Sequence, residues 1–382
     1  MFKVIFMLRP ILRLRIAPGP KSSGCRRCIL SRGIFMSRLS LGIATMVAIC
    51  ASTGWAQQAP AAGRYKVLKT AKVGGDGGFD YVNVDAENRR LYIARTGKTP
   101  RINVYNLDTL EPVGEVMTTN AHGAVIDPKT SHGFATTKPI TMFDSKTLAT
   151  IKTIEVQGNP DGAFFEASNQ RAYILSHASP HVTVLDTNDG SIVKTFDIGG
   201  MPEQAAGDGK GHLYIDVEDK DNIAVVDTKT LDVTAHYDIG GKGGTCAGLA
   251  MDAKNHILFA ACRNPANMVI LNADDGKIIT TLPIGMGTDG ASFNPNTMEA
   301  FSSQGIDGTL TIVRENSPTD FVVEQTLPTM NGARTSALDI KTNHIILIAA
   351  EFGPPTPPAQ PGGRPGRGQI VPDSFSILVV GK

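Results

Sequence analysis

The sequence predicts an all-β fold: a seven-bladed β-propeller of four-stranded antiparallel blades, closed by the N-terminal strand in the last blade. Three observations predict it. Glycine is frequent, at 40 of 382 residues, and punctuates many short apolar runs, which means many turns between short strands. One phrase recurs seven times, on the anchors Asp85, Asp127, Glu166, Asp208, Asp252, Asn294 and Asp339, at intervals of 39 to 45 residues. A spare strand precedes the first copy, and the last copy is one strand short.

The N-terminal 56 residues differ from the rest. Residues 1–35 carry basic side chains and no acid, unlike a folded domain, and read as an over-extended start; a basic N-terminal arm is the other reading. Residues 36–56 read as a signal peptide, with Arg38, an apolar stretch from Leu39 to Ile49, and small residues at Gly54 and Ala56. That stretch is too short for a membrane-spanning helix. The expectation is cleavage near Ala56, a periplasmic or secreted bacterial protein, and one propeller domain over 57–382.

Removing the leader changes the charge. Nine of the 37 Lys and Arg fall in 1–56, so 28 basic residues face 36 acidic ones, a net charge of −8. Such a body is a poor general binder of nucleic acid. Five cysteines fall to two, Cys246 and Cys262, and no zinc-type cysteine spacing remains.

Each repeat opens with an apolar strand ending at its anchor. A polar turn follows, then a strand beginning with an aromatic or aliphatic pair such as Leu91-Tyr92 or Leu213-Tyr214. A second phrase adds a strand ending in Asp, a turn and another strand, as from Val182 to Phe196. Side chains alternate with period two, as in Asn103 to Leu107. Four such strands per 40-odd residues describe one propeller blade. The last repeat supplies only three, near Ser336–Ile340, Ile345–Ala350 and Ser374–Val380. The strand from Tyr65 to Val73 is expected to complete that blade and hide two sheet edges.

The run from Ile223 to Gly241, IAVVDTKTLDVTAHYDIGG, resembles the YVTN-repeat propellers, the YncE-like periplasmic proteins. The resemblance covers the mature chain and implies the same fold and compartment. No copy holds a complete Tyr-Val-Thr-Asn; the nearest are Leu91 to Ala94 and Leu213 to Asp216.

A site is expected at the mouth of the central channel, where the inner strands begin. Five residues before the anchors stand Asp80, His122, Asp161, Glu203, Ala247, Asp289 and Arg334. A generic core would place small or apolar residues there. The ends of the second strands reach the same face and add Arg95, His177, Glu218 and Arg263. His177 and His181 are four apart in one loop, and with His122 and Asp161 they form a candidate site for a divalent metal such as Zn, Mn or Fe. Two other readings stay open: a solvated rim of self-paired charges, and acid–base chemistry without metal.

The Pro/Gly-rich segment 353–368 interrupts the last blade on the mouth face, either as a lid carrying Arg364 and Arg367 or as a passive insertion. Cys246 and Cys262 stand directly opposite if their hairpin turns about Lys254, either bonded or as two buried thiols. No phosphate loop, nucleophile elbow or haem-attachment motif is present. Two functions follow: a monomeric binding propeller for a small polar molecule or protein partner, or a metal-assisted hydrolase or lactonase at the same mouth.

Overall fold

The computed structural model describes residues 65–356 and 368–382. The segments read as an over-extended start and as a signal peptide with its cleavage site, and Arg364 and Arg367, lie outside the described residues. The described residues form seven four-stranded antiparallel sheets and contain no helix, and so none long and apolar enough to cross a membrane.

The seven sheets are the seven blades. Their innermost strands, called a, are Gly78–Asp85, Ala124–Asp127, Pro160–Glu166, Pro202–Gly207, Cys246–Asp252, Thr288–Asn294 and Ser336–Asp339. Strands b, c and d follow outward in each sheet. Blade 7 is the exception in connectivity. Its strand d is Lys66–Lys72, paired antiparallel with Ser376–Gly381.

The anchors recur because each builds the same turn. Every anchor side chain accepts a backbone N–H two or three residues on, as Asp127 does from Lys129 at 2.9 Å and Asn294 from Asn296 at 3.0 Å. This side-chain-to-backbone bond closes the hairpin between strands a and b. The Asp or Asn ending strand c does the same for the next hairpin in blades 1 to 5.

The core is divided among the junctions between blades. Seven apolar clusters form, one per junction, each mixing side chains of two neighbouring blades. Strands b are therefore buried on both faces, as in Ile257–Cys262, and their alternation disappears. The cluster between blades 7 and 1 packs Phe79 and Leu91 against Ile346, Ile348 and Phe375, which completes the ring.

Candidate functional site at the channel mouth

Each strand a starts at the mouth, and in five blades it starts with a bulge. Pairing skips between Phe79 and Val82, Pro160 and Ala163, Pro202 and Ala205, Cys246 and Gly248, and Thr288 and Ala291. Asp80, Asp161, Glu203, Ala247 and Asp289 all fall inside these bulges. A bulge re-aims side chains that a regular ladder would send to the sheet faces. In blade 4 the bulge is pinned from behind: fully buried Asp216 accepts the Gln204 N–H at 2.5 Å. Burial pushes the Asp216 carboxyl far above its usual range.

The charged groups converge into one network. His122 Nδ1 lies 2.9 Å from Asp80 and 3.0 Å from Asp161. These two bonds raise its pKa to about 10, so the ring is cationic. Arg334 bridges Asp80 at 3.1 Å and Asp289 at 2.7 Å. Arg263 pairs with Glu218 at 2.8 Å, with Glu203 at 3.4 Å, and with Asp289. Glu203 is buried among like charges. Burial first, then Asp289, with Asp161 and Glu218 adding, lifts its carboxyl to about 10.

Five carboxyl groups thus meet three paired cations and His177. That imidazole stands apart. Its Nε2 is 3.5 Å from Asp161 and 3.9 Å from Glu203, is shielded from solvent, and has no hydrogen-bond partner. Two sets of residues bring ligand atoms within 4.8 Å of one another: Asp80, His122 and Asp161, and Asp161, His177 and Glu203. The first set is satisfied by its own hydrogen bonds. The second leaves His177 Nε2 free to hold an ion.

Two candidates from the sequence do not join this network. Arg95 is 1% exposed. Its guanidinium donates to the backbone carbonyls of Gly74, Asp76 and Gly78 and lies 3.4 Å from the Phe375 ring centre. It ties the entry loop of blade 1 to blade 7. His181 turns outward and pairs with Asp197 at 3.0 Å, so the expected four-residue metal set loses it. His177 faces Asp161 in the ring, whereas His181 faces Asp197 at the end of the outer strand of its blade.

One residue at the site went unread in the sequence. Tyr81 of blade 1 crosses the channel to blade 4 and donates its hydroxyl to Glu203 Oε2 at 2.7 Å. Burial holds its phenol far above the usual range. A signal was there. The position after each ring residue is Gly123, Gly162, Gly248 and Gly290 in four copies, against Tyr81, Gln204 and Thr335 in the others. A Cβ at Gly123 would lie 3.4 Å from the Tyr81 Cβ, and one at Gly162 only 2.7 Å from the Glu203 carbonyl oxygen. Gly123 and Gly162 make room for Tyr81, and Gln204 is the other long side chain in this row. Gln204 accepts from the N–H groups of Leu249 and Ala291, both at 2.9 Å. Around them lies a cavity of about 90 Å³, lined by Tyr81, Glu203, Gln204, Asp289 and Thr335 among others.

Cys246 and Cys262 are register partners in blade 5 and are joined by a disulfide. Arg263 follows directly. The Pro/Gly-rich segment leaves and re-enters blade 7 through an isolated pair, Phe352 with Ile370, on the mouth face.

No protein-family model matches the sequence, and no curated protein matches it. Solved structures do match. One, described as "Structure of U3-55K", aligns over 82% of this chain and 98% of its own, with a TM-score of 0.66 and 10% identity. At that identity the likeness carries the architecture alone. By architecture, the chain is a seven-bladed β-propeller with a charged, self-paired channel mouth.

Proposed function

We propose that the chain is an exported propeller of the YVTN-repeat, YncE-like kind that binds a small cationic molecule at its channel mouth. Family membership is supported by the repeat phrase from Ile223 to Gly241, and export by the acid-free leader over 1–56. The ligand reading rests on one observation. Asp80, Asp161, Glu203, Glu218 and Asp289 converge, and both arginines and His122 are already paired with them. Among the described ring residues no cation is left unpaired for an anionic ligand, whereas a donor with positive charge relieves the crowding of acids.

Thermal melting against small molecules sorted by charge tests this. A ligand that binds the folded state raises the melting temperature. Ammonium-bearing probes are expected to do so, and Asp161→Asn to abolish the shift. Stabilisation by carboxylate-bearing probes alone would overturn the reading. A protein partner with a basic side chain in the same mouth would use the same contacts.

A second reading, a metal-assisted hydrolase or lactonase, is favoured by the unpartnered Nε2 of His177 beside Asp161 and Glu203. One imidazole and two carboxylates suit Zn or Mn. Such an ion would polarise a carbonyl or activate water. Elemental analysis of gently purified protein, and melting with added Zn or Mn, decide it: no retained metal and no shift would remove this reading.

A further inference from the structure

We infer that the mouth ligand is an amphiphile, whose cationic head enters the acidic ring and whose apolar tail lies on a lip formed by blades 6 and 7. This rests on the cationic-ligand reading above and adds the tail.

The lip is built from neighbours of the charged ring. Met286 and Ile306 belong to two different loops of blade 6 and are 49% and 54% exposed. They are joined by a hydrogen bond from Ile306 N–H to the Met286 carbonyl at 3.2 Å. The Ile306 side chain covers Gly287, where a Cβ would fall 2.6 Å from it. Gly287 is two residues before Asp289, so this apolar side chain borders the entrance to the ring. The adjoining Gly305 packs against Arg334, the partner of Asp289 and Asp80.

The lip continues into blade 7. Gly332 donates its N–H to the Gly305 carbonyl at 2.7 Å and carries the Phe352 ring against it. Val371, 37% exposed, follows Ile370, the partner of Phe352. Among the described residues the other exposed large apolar side chains, Leu68, Val113, Met117, Ile151, Ile192, Val193 and Val322, all lie on outermost strands. Single exposed apolar residues are ordinary. Exposed apolar side chains held together beside a charged mouth, as Met286 and Ile306 are, match an amphiphile's two ends. The head is fixed by charge complementarity with the acids, and the tail by contact with Met286 and Ile306.

Calorimetric titration of the full-length protein with methylammonium and n-octylammonium, below the latter's micelle range, is the test. Each buried methylene is worth up to roughly fourfold in affinity. Octylammonium is therefore expected to bind at least tenfold more tightly than methylammonium. Ile306→Ser and Met286→Ser are expected to remove most of that gain and leave methylammonium binding as it was, with melting temperature confirming that each variant folds. Equal affinity for the two ions, or a chain-length gain that survives both substitutions, would overturn the lip while the cationic-ligand reading stands. Failure of both ions to bind would overturn both.

Discussion

The Tyr81 hydroxyl reaches Glu203 from the opposite side of the ring, 2.7 Å away, and binds two blades that share no strand pairing and no core cluster. It is a spoke across the wheel, and Gln204, bonded to the backbone of Ala291 two blades on, is another. Tyr81→Phe keeps the ring and removes only the donor. It is expected to cost about 1–2 kcal/mol, the range for losing one partner of a buried polar pair. For a domain of this size that is a fall of about 2–3 °C in melting temperature, at about 1.5 °C per kcal/mol. An unchanged melting temperature would mean the spoke carries no load.

Arg95 makes the opposite prediction from the other charged groups near the mouth. Its three carbonyl contacts and its stacking on Phe375 are structural, so Arg95→Ala is expected to lose about 3 kcal/mol or more. Binding of ammonium probes to the fraction that folds should not change. Denaturant unfolding and titration of the same variant separate the two effects.

A pH dependence follows from the junction of blades 5 and 6. Asp252 and Glu315 meet there with two buried oxygens that find no donor. At the same position between blades 2 and 3, Thr187 donates to Asp127 at 2.7 Å. Burial, with the Asp252 carboxyl beside it, raises Glu315 to about 7. The raised value means the folded state holds the proton more tightly than the unfolded chain. The stabilisation is fully present below about 4.5, the ordinary value, and is lost as pH rises through about 7, by up to about 3 kcal/mol. Glu315→Gln supplies a permanent donor to Asp252. Melting curves from pH 5 to 8 should flatten in that variant relative to the parent.

The bond between Cys246 and Cys262 closes a short loop, and such loops contribute about 3 kcal/mol in the chain-entropy account. The paired change Cys246→Ala with Cys262→Ala is expected to lower stability by roughly that amount. Because Arg263 adjoins Cys262, weaker probe binding should accompany it. Unfolding midpoints of parent and variant, with and without reductant, provide the check.

The fold was legible because the repeat is made of turns. Anchor residues such as Asp127 and Asn294 recur for a local reason, a bond to a backbone N–H two residues away, and local reasons survive in sequence. Ring residues such as Asp80, Asp161 and Glu203 were found by counting back from those anchors. What counting cannot show is direction. Arg95 and His181 stand at suitable positions, yet a loop carbonyl trio claims one and Asp197 the other. Tyr81 was hidden because it reads as an ordinary strand aromatic. Only the glycines at the same place in other copies betray the space it fills.

The outer strand of blade 7 has a consequence for how the molecule comes into being. Lys66 pairs with Gly381, so the first of the described strands finds its partner only in the last of them. Six blades can assemble from neighbouring sequence, while the clasp between the ends requires the longest loop closure in the chain. Until it shuts, the Lys66–Lys72 strand and the edge of Ser376–Gly381 both expose unpaired backbone. Quality control in such a protein is therefore concentrated at one seam: a chain cut short late, or one whose first strand is lost, is an open arc with a sticky end at each side and a mouth that never forms.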